Sequence, residues 1–386
     1  MADALKHMFD AARYRRLAAD LAVLAPRFDR ARFLALTLDG LDSRALMGRL
    51  RQTTLACDAS LTGTYADKLA ILRGLAPRIG HNFIAIFLSD FVATHGLAHF
   101  DLSLAALKFF TPFGSSEFAV RAFLERDLDR TLAVMTAWSA DPDEHVRRLA
   151  SEGSRPRLPW GRLLPALVRD PAPTFPLLTR LAADPSLYVR KSVANHLNDI
   201  SKDHPERMLT LVESWDRDHE HTAWIARHAA RTLIKRGHPR ALRLVGVSGA
   251  THVSMAGFTV DPATISLGET ITLAARVTST AKQPQRLVID YVVRYAKAAG
   301  RFSAKVFKWT EATLAPGATL ALTKHQTIRD FSTRRHYAGR HSVDLQINGR
   351  LVASTAFVLS IPPKRAGATK PAPALPARRR SARSSR

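Results

Sequence analysis

The sequence predicts a multidomain protein: an all-α HEAT-like-repeat solenoid, an all-β immunoglobulin-like sandwich, and a disordered basic tail. Three observations carry this. Up to about residue 247 the apolar residues recur at helical spacing, and a motif repeats after 43 residues. After Ser248 the pattern changes to short alternating segments. From residue 362 the chain is Pro, Ala, Arg and Ser with one large apolar residue, Leu375. The expected divisions are 1–248, 251–361 and 362–386.

In the helical region, Val146, Leu149 and Ala150 form one stripe at i, i+3, i+4 within Asp143–Ser154. Val189, Val193, Ala194 and Leu197 form another within Ser186–Ile200. Asp141 reads as an N-cap with Pro142 at the first helical position and Glu144 three residues on. Asp184-Pro185 repeats that start, and Asp141-Pro142…Val146-Arg147 recurs as Asp184-Pro185…Val189-Arg190. A looser third copy falls at Ala226-Arg227. Units of this length that cannot bury their apolar faces alone stack into a solenoid. On periodicity alone an irregular helical bundle also fits.

In the second region, Thr264–Thr280 alternates β-branched and polar residues around a Gly-Glu turn. Arg286–Tyr295, Ser342–Ile347 and Leu351–Leu359 also read as strands, and Asn348-Gly349 between the last two is a hairpin signal. About seven short strands in some 110 residues suggest an immunoglobulin-like sandwich, usually a recognition module. Catalysis therefore belongs to the helical part.

Charge points to a polyanionic partner, nucleic acid or an anionic surface. The chain has 57 Lys+Arg against 33 Asp+Glu, a net +24. Residues 1–250, 251–361 and 362–386 each carry +8. The last segment cannot form a core; it either adds counterion-releasing affinity for phosphate or simply keeps the terminus solvated. One cysteine, Cys57, excludes an intrachain disulfide framework and Cys-rich zinc sites. The longest apolar candidate, Phe83–Leu97, is short and carries Asp90, so no transmembrane helix is expected, and the N-terminus lacks a secretory h-region. His95 and His99 stand at i, i+4, but the residues between them include no acid and no third ligand is apparent, so no metal site is expected.

The informative stretch is Glu144–Trp160, EHVRRLASEGSRPRLPW. Arg148 and Glu152 lie one turn apart, off the apolar stripe. Gly153 can end the helix, and Pro156 and Pro159 stiffen a loop that presents Arg155, Arg157 and Trp160. The competing reading is a connector with Trp160 in the core.

Three segments resemble the AlkC-type DNA glycosylases of the HEAT-like-repeat superfamily that also contains AlkD: SSEFAVRAFL (Ser115–Leu124), HVRRLASEGSRPRLPW (His145–Trp160) and SLYVRKSVANHLNDISKD (Ser186–Asp203). The match is close through the middle and end of the helical region and loose over residues 1–100. One departure is Ala122, where the family has proline, which should alter helix geometry rather than chemistry. A C-terminal immunoglobulin-like domain occurs in one branch, as residues 251–361 require. The resemblance implies hydrolysis of the N-glycosidic bond of N3-methylated bases, notably 3-methylcytosine and 3-methyladenine. It implies active-site carboxylates at Glu117, Glu152 and Asp199 and an active-site tryptophan at Trp160. It also implies a grip on the DNA backbone that reaches the sugar without the base extrusion usual among glycosylases.

A base already cationic leaves neutral, so the enzyme needs carboxylates to stabilise the sugar cation and place a water, not an acid. Glu117 and Glu152 take these two parts in an order the sequence leaves open; Asp199 completes the acidic centre, and Trp160 offers its π face. Arg147, Arg148, Arg155, Arg157, Arg190, Lys191 and Arg227 are the expected phosphate contacts. With no candidate Schiff-base lysine, the expectation is a monofunctional, cofactor-free, monomeric bacterial enzyme acting on alkylated double-stranded DNA in the nucleoid-containing cytoplasm, off the membrane. The alternative is a non-catalytic HEAT-repeat nucleic-acid-binding scaffold, which leaves acids within basic motifs unexplained.

Overall fold

The computed structural model describes residues 5–331 and 334–361. The basic tail expected at 362–386 lies outside the described residues. The chain divides into two compact units at Ser248/Gly249.

The first unit holds sixteen α-helices among the described residues. They are α1 (Ala11–Leu24), α2 (Arg30–Leu38), α3 (Leu46–Ser60), α4 (Tyr65–Ile79), α5 (Ile86–His95), α6 (Phe100–Phe110), α7 (Val120–Arg126) and α8 (Leu128–Trp138). After these come α9 (Glu144–Gly153), α10 (Pro165–Arg169), α11 (Phe175–Arg180), α12 (Leu187–Asp203), α13 (Pro205–Glu213), α14 (Glu220–Ala229), α15 (Arg231–Lys235) and α16 (Pro239–Arg243). None is long and apolar enough to cross a membrane. Helices α9, α12 and α14, which carry the recurring motif, pack side by side as corresponding helices of successive repeats. The predicted stripes Val146, Leu149, Ala150 and Val189, Val193, Ala194, Leu197 are buried.

The recurring Asp-Pro…Val-Arg motif has a structural purpose. Asp141 Oδ1 accepts the amide of Asp143 at 3.0 Å, and Asp184 Oδ1 accepts that of Ser186 at 2.8 Å. Each following arginine folds back on its own turn: Arg147 Nη1 donates to the carbonyls of Asp141 and Pro142, and Arg190 Nη1 to those of Asp184 and Pro185. Arg147 also reaches the next repeat, pairing with Asp184 at 2.7 Å. The expected helix start is thereby corrected. Asp141 closes the preceding turn, and Asp143 is the N-cap, accepting the His145 amide at 2.7 Å. The second motif helix likewise starts after Ser186, which makes no side-chain cap.

The second unit is a two-sheet sandwich. Strands β1 (Val253–Asp261), β3 (Thr270–Ser279) and β6 (Thr319–Thr327) form one sheet in the order β1-β3-β6. Strands β2 (Thr264–Ser266), β8 (Arg350–Ser360), β7 (Gly339–Ile347), β4 (Gln285–Ala296) and β5 (Phe302–Leu314) form the other in that order. All pairings are antiparallel except β2 with β8. Alternate residues of both sheets, among them Ile271, Leu273, Tyr291, Val293, Val343 and Phe357, fill the space between them. The β7–β8 hairpin turns at Asn348-Gly349, both at positive φ (48° and 78°), the twist a two-residue hairpin needs.

Candidate active site

Helices α9 and α12 meet across a polar seam as well as an apolar one. On α12, Ser192, His196 and Asp199 fall at i, i+4, i+7 and are all buried. Ser192 Oγ donates to Glu152 Oε2 at 2.6 Å, and His196 Nδ1 contacts the Ser151 carbonyl at 2.9 Å. Gly153 permits close approach of α9 to α7, because a Cβ there would stand 2.5 Å from Val120 Cγ1.

Along this seam the charges alternate in sign: Glu117, Arg148, Glu152, Arg155, Asp199, Lys202. Arg148 Nη1 lies 2.5 Å from Glu117 Oε2, and its Nη2 lies 3.6 Å from Glu152 Oε1. Arg155 Nη1 lies 2.6 Å from Glu152 Oε1, and its Nε and Nη2 each lie 2.8 Å from Asp199 Oδ2. Lys202 Nζ closes the row at 2.8 Å from Asp199 Oδ1. Each charged side chain of this row therefore has an opposite neighbour, and the pairing offsets the cost of burying it. Burial works against the Arg148 charge, but Glu117 and Glu152 outweigh it and raise its pKa.

Glu117 sits in the loop before α7, where the hydroxyl of Ser115 donates to it at 2.7 Å. Glu117, Glu152 and Trp160 line one cleft of about 470 Å³, together with Arg148, His145 and Tyr188. The ring of Tyr188 stands 5.5 Å from that of His145, and Arg148 lies 4.8 Å above it. A second cleft of about 390 Å³ also includes Trp160, with Arg51, Asp90, Glu125 and Arg162 along its walls. Asp199 lines neither cleft; its side chain is 3% exposed and joins the centre through Arg155.

Trp160 is not a core residue. It is 66% exposed and has φ of 65°. The Gly161 amide donates to the Leu158 carbonyl at 3.1 Å, closing a turn with Pro159 second and Trp160 third. Glycine usually takes a third position with positive φ.

The expectation that the proline loop presents Arg155 to DNA is corrected. Arg155 is buried because it is the cation between Glu152 and Asp199. Arg147 and Arg190 are engaged with the repeat turns, and Arg157 pairs bidentately with Asp203 at 2.9 Å. Lys191 and Arg227 are exposed. His95 and His99 pack against the rings of Phe91 and Tyr65.

Sequence reasoning missed Ser115, Ser192, Tyr188 and Arg121. The first two orient carboxylates, and their one available signal was a place inside the same motifs as those acids. Arg121 donates to carbonyls far along the chain, which no local spacing reveals.

These features define a helical-repeat scaffold that holds an acidic centre beside an exposed tryptophan. Residues 111–233 match the family described as DNA alkylation repair enzyme. Residues 254–361 match the family described as uncharacterised protein YhaZ, C-terminal Ig-like domain. The uncharacterized protein YhaZ of Bacillus subtilis is 42% identical over 333 residues, covering 86% of this chain and 92% of that protein. The solved structure of Pseudomonas fluorescens alkylpurine DNA glycosylase AlkC, bound to DNA containing an abasic site analog, is 48% identical. Its TM-score is 0.89, with 92% of this chain and 99% of that one covered. The chain belongs to the AlkC-type DNA glycosylases, in the branch that carries a C-terminal immunoglobulin-like domain.

Proposed function

We propose that this glycosylase is monofunctional and hydrolyses the N-glycosidic bond of cationic N3-alkylated bases, 3-methyladenine and 3-methylcytosine, in double-stranded DNA without rotating the base out of the helix. The observation that carries this reading is the common cleft of Glu117, Glu152 and Trp160. As the base departs, positive charge develops on the deoxyribose. Two carboxylates held by Arg148, Ser115 and Ser192 are oriented in advance, so one stabilises that cation while the other takes a proton from the attacking water. Trp160 offers its π face to the sugar or to the cationic base. Asp199 acts at one remove: it anchors Arg155, which sets the position of Glu152. Lys191, Arg227 and the partly exposed Arg157 are the phosphate contacts that fit their exposure. From the same positive charge we infer that the enzyme stays with the nucleoid in the cytoplasm.

Leaving-group charge tests the mechanism. Matched duplexes carrying 3-methyladenine, 3-methylcytosine, uracil or 1,N6-ethenoadenine are assayed for base release under single-turnover conditions. The two cationic bases are released and the neutral ones resist. Glu117→Gln and Glu152→Gln each slow 3-methyladenine release about 10²–10³-fold with DNA affinity kept or tightened. Uracil release near the rate of 3-methyladenine overturns the mechanism.

A further inference from the structure

Arg121 on α7 is 3% exposed, and its hydrogen bonds all go to backbone carbonyls. Its Nη1 donates to Gly153 at 2.9 Å and to Arg155 at 2.8 Å. Its Nε donates to Arg162 at 3.0 Å, and Nη2 donates to the same carbonyl. The three acceptors bracket the segment 156–161, whose tip is Trp160. A Cβ on Gly161 would stand 3.4 Å from Arg121 Nε and 3.2 Å from Leu158 Cδ2, so the turn packs beside the guanidinium. The turn needs such a brace. Trp160 holds a backbone conformation that a bulky residue leaves when free, and its exposed ring has few neighbours to keep it there. A connector with only a structural duty would put glycine in that place.

We propose that Arg121 is a positioning residue for base excision: its buried guanidinium ties together the two ends of the Trp160 turn and holds the indole on the wall it shares with Glu117 and Glu152. Lysine cannot replace it, because one ammonium cannot span carbonyls on both arms of the loop. The proposal rests on the reading of Trp160 as a residue that meets the lesion.

The test is a double-mutant cycle on the full chain: wild type, Arg121→Lys, Trp160→Ala and the double variant. Each is read as the saturated single-turnover rate of 3-methyladenine release and the half-saturating enzyme concentration. Arg121→Lys is expected to slow the saturated rate about 10-fold or more, with half-saturation changed less than about twofold. In the Trp160→Ala background the same change costs less than about twofold, since the residue it positions is gone. Arg121→Gln, which removes the charge and whose single amide cannot reach the carbonyls of both arms, is the second variant and follows the same pattern if Arg121→Lys melts below the assay temperature. An equal loss in both backgrounds, with Trp160→Ala itself slow, overturns the proposal alone. A Trp160→Ala enzyme at the wild-type rate overturns the reading of Trp160 and the proposal with it.

Discussion

Trp160 and His196 are in states their residue types disfavour when free. Left-handed backbone costs an ordinary residue about 1–2 kcal/mol, a cost that the hydrogen bonds at both ends of the loop offset at Trp160, where φ is 65°. His196 is buried with Nε2 unpartnered, and burial with the nearby Arg155 pushes its pKa down to about 3. The consequence for stability has a definite sign. Above the ordinary histidine pKa of about 6.5 both folded and unfolded chains hold it neutral. Below that value the unfolded chain takes up a proton that the folded chain refuses, so stability falls as pH falls towards 3. At pH 5 this amounts to roughly 2 kcal/mol. Calorimetric melting of wild type and His196→Gln at pH 7.5 and pH 5 checks it: the wild type loses more on acidification than the variant does. An equal loss in the two proteins means His196 is not the group responsible.

At the scale of the element, the repeat is held by its arginines as well as its apolar stripes. Arg147 joins the turn before α9 to Asp184 in the turn before α12, and both partners are largely buried. Removing one member of such a pair leaves the other charge buried without its partner. Arg147→Ala should therefore destabilise the helical unit by about 3 kcal/mol, or about 5–10 °C in melting temperature. The slope of DNA affinity against salt should stay as it is. A reduced slope with unchanged melting would make Arg147 a phosphate contact instead. The same motif explains why the helix starts were misread by two residues. An Asp-Pro pair before a helix resembles an N-cap and first turn, and only the repeat-to-repeat pairing shows that Asp141 and Asp184 belong to the turn.

At the scale of the whole molecule, charge is spread unevenly over segments with different duties. The final 25 residues carry eight positive charges and no negative ones. Deleting residues 362–386 should weaken binding to undamaged DNA and flatten its salt dependence, because fewer counterions are released. The single-turnover excision rate at saturating enzyme should stay within about twofold, since the cleft lies wholly in the helical unit. Measuring affinity at several salt concentrations beside the saturated rate separates these effects, and a large loss of saturated rate would place the tail in catalysis.

The sequence by itself determined the class of each unit and singled out the candidate acids. Helical and two-residue periodicities are local, because the buried face of an element is written in consecutive residues. The stripes of α9 and α12 and the Asn348-Gly349 turn were legible for that reason. Glu117, Glu152, Asp199 and Trp160 could be singled out because long motifs carry them. Partnership was not legible. Seven arginines and lysines looked alike as phosphate contacts, yet Arg155 is the buried link between two carboxylates and Arg147 a clasp between repeats. Arg121 stands in the same motif as Glu117, yet nothing in its local spacing showed that it holds both ends of the loop on which the tryptophan stands. The reason is physical. Burial follows from a residue's own polarity and its near neighbours in sequence, whereas a charge acquires its role from whichever opposite charge or carbonyl the fold brings within about 3 Å, and that pairing joins residues some 30 to 45 positions apart.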